Sequence, residues 1–147
     1  MQKLHTDIDI AATPEQVWEV LTDFAAYGAW NPFIPRIDGD LIVGSRLDLD
    51  LQPPGRRPMR MRPLVTDVEG ARRFAWTGAL GIRGVFDGHH TFELVPTSDG
   101  GTRLAQAETF GGLLARPILR LIGRQTAAGF ESMNRALRDR AEARAAA

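Results

Sequence analysis

The 147-residue chain contains no cysteine, which excludes disulfides, thiolate metal sites and a cysteine nucleophile. It has no surplus of either charge, since eighteen Lys and Arg side chains balance eighteen Asp and Glu. A neutral total argues against nucleic acid or an anionic membrane as a general electrostatic partner. Long apolar runs are missing too. The greasiest stretch, Leu113 to Ile122, is interrupted by Arg116 and Arg120 and falls well short of the ~20 residues that cross a bilayer, so no transmembrane segment is expected. Met1 to Ile10 carries Lys3, Asp7 and Asp9 and has no apolar h-region, so it does not read as a signal peptide. The default expectation is a soluble cytoplasmic protein. No Gly-Lys-Ser/Thr follows Gly81-Ile82-Arg83-Gly84, and Thr77 and Ser98 belong to no Ser-His-Asp arrangement, which removes a phosphate loop and a hydrolase triad.

What is present suits one domain with a real core, because a chain of this length buries about 70% of its unfolded surface. Leu4, Thr6, Ile8 and Ile10 alternate with His5, Asp7 and Asp9, the pattern of a strand with one buried face. Thr13-Pro14-Glu15-Gln16 combines a cap, a proline suited to the first helical turn and a Thr-x-x-Gln capping box. A second short helix is expected over Phe24 to Ala29, stopped by Pro32, before the rigid aromatic loop Trp30-Asn31-Pro32-Phe33-Ile34-Pro35. Leu47, Leu49 and Leu51 alternate with Asp48 and Asp50 as a half-buried strand, and further strands are expected at Met59 to Val68 and Arg72 to Gly78. From Leu113 the period changes. Leu114, Ile118, Leu121, Ile122, Phe130, Met133 and Leu137 recur at three- and four-residue steps, predicting one amphipathic helix over about 113–143, roughly 45 Å long.

The most informative segment is the run Val85 to Leu94 and its partner Thr102 to Phe110. At period two, Phe86, Gly88, His90, Phe92 and Leu94 share one face, as do Leu104, Gln106, Glu108 and Phe110. A turn at Thr97 to Gly101 pairs residues whose numbers sum to about 198, which sets His90 opposite Glu108. Polar groups on a core-facing row must be satisfied or face a cavity. His89 and Glu93 fall on the opposite, solvated face, so a zinc site from His89, His90 and Glu108 would need ligands from both faces and is rejected.

Ala11-Ala12-Thr13-Pro14-Glu15-Gln16-Val17-Trp18, Trp30-Asn31-Pro32-Phe33, Phe86-x-Gly88-x-His90-x-Phe92-x-Leu94 and Gly101-Thr102-Arg103 leading to Glu108-Thr109-Phe110-x-Gly112 together resemble the START-like, or SRPBCC, superfamily. That group includes polyketide cyclases and dehydratases and lipid-transport proteins. The resemblance spans nearly the whole chain and implies a single domain over residues 1–147. The fold it implies is α+β, a helix grip. A curved antiparallel sheet of about seven strands wraps a long C-terminal helix, with two short helices after the first strand. It also implies an apolar cavity between sheet and helix, here expected to be lined by Trp30, Phe33, Leu49, Met61, Trp76, Phe86, His90, Phe92, Gln106, Glu108, Phe110, Leu114, Ile118 and Leu121. Each aromatic among them has an ordinary core role as its alternative.

The leading reading is a non-enzymatic protein that binds a small hydrophobic or amphipathic molecule, lipid- or polyketide-like, as a monomer or homodimer, without cofactor or metal. A second is a cyclase or dehydratase in which His90, oriented by Glu108, moves a proton. A third is a protein-interaction or chaperone-activator module using its arginine-rich outer surfaces. Arg56, Arg57, Arg60 and Arg62 with Arg116, Arg120 and Arg124 could also attract an anionic ligand or lipid headgroup. The plain alternative for His90 and Glu108 is a hydrogen-bonded pair that satisfies only itself, and for the arginines a solvated face.

Overall fold

The computed structural model describes residues 2–147. Strand β1 (Gln2–Ile10) leads into helix α1 (Pro14–Thr22), a single 3-10 turn (Phe24–Ala26) and helix α2 (Tyr27–Trp30). Strands β2 (Arg36–Asp38), β3 (Asp48–Leu51), β4 (Met59–Met61), β5 (Leu64–Glu69), β6 (Arg73–Ala79), β7 (Asp87–Pro96) and β8 (Thr102–Gly111) follow, and helix α3 (Ala115–Ala145) closes the chain. The strands form two antiparallel sets, β1-β8-β7-β6-β5 and β2-β3-β4. Together with α3 across their inner face they make a helix grip.

Local chemistry accounts for the element boundaries. The α1 capping box is formed, with the Gln16 N–H donating to Thr13 Oγ1 (3.2 Å) and the Thr13 N–H to Gln16 Oε1 (2.9 Å). Asn31 ends α2 and accepts the Phe33 and Ile34 N–H groups on Oδ1 at 3.0 and 2.8 Å. That double acceptance holds the aromatic loop in a fixed turn. The single stretch expected from Met59 to Val68 is two strands in different sets, because Pro63 has no N–H to give a ladder. With the three-residue β2, this makes eight strands rather than about seven. The sets remain joined by the Leu47 N–H to Pro63 carbonyl bond (2.9 Å) and the Gly44 N–H to Val65 carbonyl bond (2.9 Å), so the surface curls without a gap.

The β7–β8 ladder has the anticipated register, with His90 opposite Glu108 and Asp87 opposite Gly111. Phe74, Trp76 and Phe92 fill the concave face with Leu104, Phe130, Met133 and Leu137. Phe86, Phe110 and Ala115 form a separate, smaller cluster at the start of α3. The second half of α3 is the docked half, burying Gly129, Phe130, Met133, Asn134, Leu137 and Ala141. Gly129 is required there, because a Cβ would lie 2.4 Å from Phe33 Cδ1. Burial pushes the Tyr27 hydroxyl pKa up, so it stays a donor to the Leu21 carbonyl at 2.5 Å.

Candidate functional site: an apolar pocket with one acid–imidazole pair

A pocket lies where the smaller cluster meets the main core. Its walls are Phe86, Gly88, His90, Glu108 and Phe110 from the β7–β8 hairpin and Trp76, Gly78 and Leu80 from β6 and its loop. Leu51, Pro53, Met59 and Met61 come from the β3–β4 region, Phe33 and Ile34 from the aromatic loop, and Ile122 and Thr126 from α3. The space between these atoms, mouth included, is about 600 Å3, but only about 40 Å3 admits the centre of a water-sized sphere. Side chains therefore nearly fill it. Its most adaptable occupant is Met61, whose Cε lies 2.5 Å from where a Gly78 Cβ would stand, and an unbranched thioether can swing aside at low cost.

The polar end is a continuous chain of side chains. Asn134 Nδ2 donates to Thr6 Oγ1 (3.0 Å). Gln106 Nε2 donates to Asn134 Oδ1 (2.6 Å) and to the Phe130 carbonyl (3.4 Å). Gln106 Oε1 is thereby left as the acceptor facing His90 Nε2 at 3.0 Å, so the imidazole carries a proton on Nε2. His90 Nδ1 then faces Glu108 Oε2 at 3.3 Å. The ring cannot turn away. It packs against Phe92 at 4.5 Å, Trp76 at 5.5 Å and the edge of Phe130 at 4.9 Å between centroids.

Both ring nitrogens of His90 are thus engaged within the protein, and the group the pair offers outward is Glu108. Its Oε1 has no hydrogen-bond partner among the described residues, and it lies 2.5 Å from where a Gly88 Cβ would stand. Gly88 is what makes room for the carboxyl. As a carboxylate oxygen, Oε1 is an acceptor.

Of the residues expected from sequence, Phe33, Met61, Trp76, Phe86, His90, Glu108 and Phe110 stand in these walls. The others do not. Phe92 shares the His90 face but lies further along the strand, against Phe74. Leu49 is wholly buried core, while its same-face neighbour Leu51 reaches the pocket. Gln106 is spent on the polar chain, and Trp30 packs outside the pocket against Tyr27. Leu114 and Leu121 are exposed, and Ile118 packs on the smaller cluster. Helical phase separates them: at about 100° per residue Thr126 and Ile122 stand about 40° and 80° round the axis from the buried Phe130, whereas Leu121 stands about 180° away and Leu114 lies before the first turn. That count was available in the sequence; Asn134 and Thr6, far apart along the chain, carried no such signal. His89 pairs with Thr109 on the outer face.

No curated protein sequence matches the chain significantly. Solved structures match it over nearly its full length at low identity. The Zhui aromatase/cyclase from Streptomyces sp. R1128 is 16% identical, with a TM-score of 0.78 over 97% of this chain and 94% of that one. A START superfamily protein from Mycobacterium smegmatis is 20% identical, with a TM-score of 0.71 over 95% and 97%. A protein from Mesorhizobium loti, MLL2253, is 21% identical, with a TM-score of 0.70 over 95% and 98%. At these identities the likeness is one of fold. The profile of one family, described as polyketide cyclase/dehydrase and lipid transport, matches residues 1–144, and the chain belongs to that family.

Proposed function

We propose that the protein binds a small apolar molecule in this pocket, and that the molecule carries one hydrogen-bond donor, a hydroxyl or phenol, which it gives to Glu108 Oε1. The observation that carries this reading is a single acid–imidazole pair at the edge of an otherwise apolar lining. Affinity would come from burial, about 25 cal/mol per Å2 of apolar surface before ordering costs. Entry requires the pocket to widen, with Met59, Met61 and Leu80 the side chains free to yield. A carboxylate ligand is disfavoured, since no lysine or arginine stands among the lining residues and Glu108 would face it.

Calorimetric titration with 2-naphthol, 2-methoxynaphthalene and 2-naphthoate tests the reading. The naphthol should bind about tenfold or more tightly than the ether, the worth of a donor to a buried carboxyl acceptor, and the naphthoate weakest. Glu108→Leu should bring naphthol and ether together. If none of the three binds, the pocket reading fails; if the ether binds as well as the naphthol, the role of Glu108 fails.

A second reading, proton transfer on a bound hydroxyl or ketone, rests on the contact between His90 Nδ1 and Glu108 Oε2 beside the ligand space. Glu108, backed by His90, would be the acid–base group that touches the substrate. Glu108→Gln should then abolish turnover while ligand still binds, and unchanged turnover removes this reading.

A further inference from the structure

We propose that the rim of the pocket is a docking surface for anionic lipid bilayers, independently of what the pocket holds. The neutral total conceals a lopsided distribution. No Asp or Glu occurs from residue 51 to 66, from 70 to 86 or from 109 to 130. These intervals supply the β3–β4 loop, the β6–β7 loop and the first half of α3, which meet around the pocket mouth. The Leu113 and Leu114 N–H groups donate to the Gly84 and Val85 carbonyls (3.0 and 2.9 Å), and Arg56 Nη2 reaches the Leu121 carbonyl (3.5 Å).

Two independent features mark this rim. One is apolar exposure: Leu113 is 86%, Ile82 76%, Leu121 72% and Leu114 46% exposed. Leu114 occupies the N-cap of α3, and Pro117, Leu121 and Arg124 follow it at three- and four-residue steps along the solvent side, while Ile118, Leu119 and Ile122 turn toward the protein. The solvent side of this half of the helix therefore sets Leu121, beside the exposed Leu113 and Leu114, among Arg116, Arg120 and Arg124, the mixture of aliphatic and cationic side chains that suits a membrane surface. The other is charge. Arg56, Arg57, Arg83, Arg116, Arg120 and Arg124 have no carboxylate partner among the described residues and no Asp or Glu within their own intervals, whereas other arginines without a partner, such as Arg135, Arg140 and Arg144, share their stretch of chain with Glu131, Asp139 and Glu142. The one acid at the rim, Asp87, accepts the Gly84 N–H on both oxygens and pins the β6–β7 loop.

Aliphatic side chains ringed by unpaired guanidinium groups fit an interface of phosphates over hydrocarbon. A second copy on the same face would set these arginines against one another across a two-fold axis. Docking would be peripheral, since no described helix is long and apolar enough to cross a membrane.

Flotation of the purified full chain with phosphatidylcholine vesicles, with and without phosphatidylglycerol, tests the surface. The chain should float with the anionic vesicles, release as salt is raised, and leave the neutral ones in solution. Replacing Arg116, Arg120 and Arg124 with glutamine should weaken anionic binding roughly a hundredfold. Leu113→Ser with Leu121→Ser should also release it while leaving thermal unfolding and naphthol binding unchanged, because both side chains lie in solvent. The proposal is overturned by failure to float, by equal binding to neutral vesicles, or by variants that bind as the parent does. It is equally overturned if the leucine variant abolishes a concentration-dependent dimer in a chain that never binds vesicles, which would assign the leucines to a copy interface.

Discussion

Two glycines in one helix should respond to the same substitution with opposite signs. Both Gly123 and Gly129 lie inside α3, where glycine costs about 1 kcal/mol relative to alanine. At Gly123 a new Cβ meets nothing within 4 Å, so Gly123→Ala should recover most of that cost. At Gly129 the Cβ falls 2.4 and 2.5 Å from Cδ1 and Cε1 of Phe33. That ring is buried and packed edge-on to Phe130 at 5.5 Å, so relief would require the whole ring to shift and lose that packing. Overpacking of this kind costs about 1–3 kcal/mol, which outweighs the propensity gain and leaves Gly129→Ala destabilising by about 1 kcal/mol. The two variants should therefore differ by about 2 kcal/mol in urea unfolding, or several degrees in Tm. Phe33→Leu in the Gly129→Ala background should restore part of the loss, since it removes the struck atoms. Equal shifts of one sign would refute the argument, because propensity alone would then explain both.

Gln106→Leu removes the acceptor for His90 Nε2 and the donor for Asn134 Oδ1 together, so two buried polar groups lose partners. Unfolding in denaturant should show a loss of about 2 kcal/mol or more, and a near-neutral result would mean that water replaces the chain. Arg60, and after it Arg36, hold the Asp48 carboxyl well below the usual carboxylate range. Because the unfolded state takes up that proton first, the contribution of Asp48 is present above about pH 4 and is lost as pH falls toward its folded value. Asp48→Asn should flatten the acid limb of a Tm against pH profile relative to the parent, and parallel profiles would show that exposure has screened the cluster away.

The register of the β7–β8 hairpin was legible because parity and a short turn leave little freedom: once Gly101 closes the loop, a one-residue slip would turn His90 and Phe92 outward. The α1 start was legible for a similarly local reason, with four consecutive residues satisfying their own backbone donors. The break inside Met59 to Val68 is carried by Pro63 alone, and the apolar residues on either side mask it. The three- and four-residue recurrence that reveals α3 admits both Leu121 and its neighbour Ile122, and only the angle from the buried Phe130 puts Ile122 and Thr126 on the inner side.

Sequence by itself determined most of the elements, their order and the row that carries His90 and Glu108, because caps, turns and alternation act over a few residues. Tertiary structure decided which of those two groups keeps a free polar atom at the pocket. That depends on Asn134 and Phe130 of a distant helix orienting the Gln106 amide and occupying the imidazole. It also decided that a chain of no net charge gathers unpaired arginines and exposed leucines at one end, since three acid-free intervals become a single rim only when the sheet curls around α3.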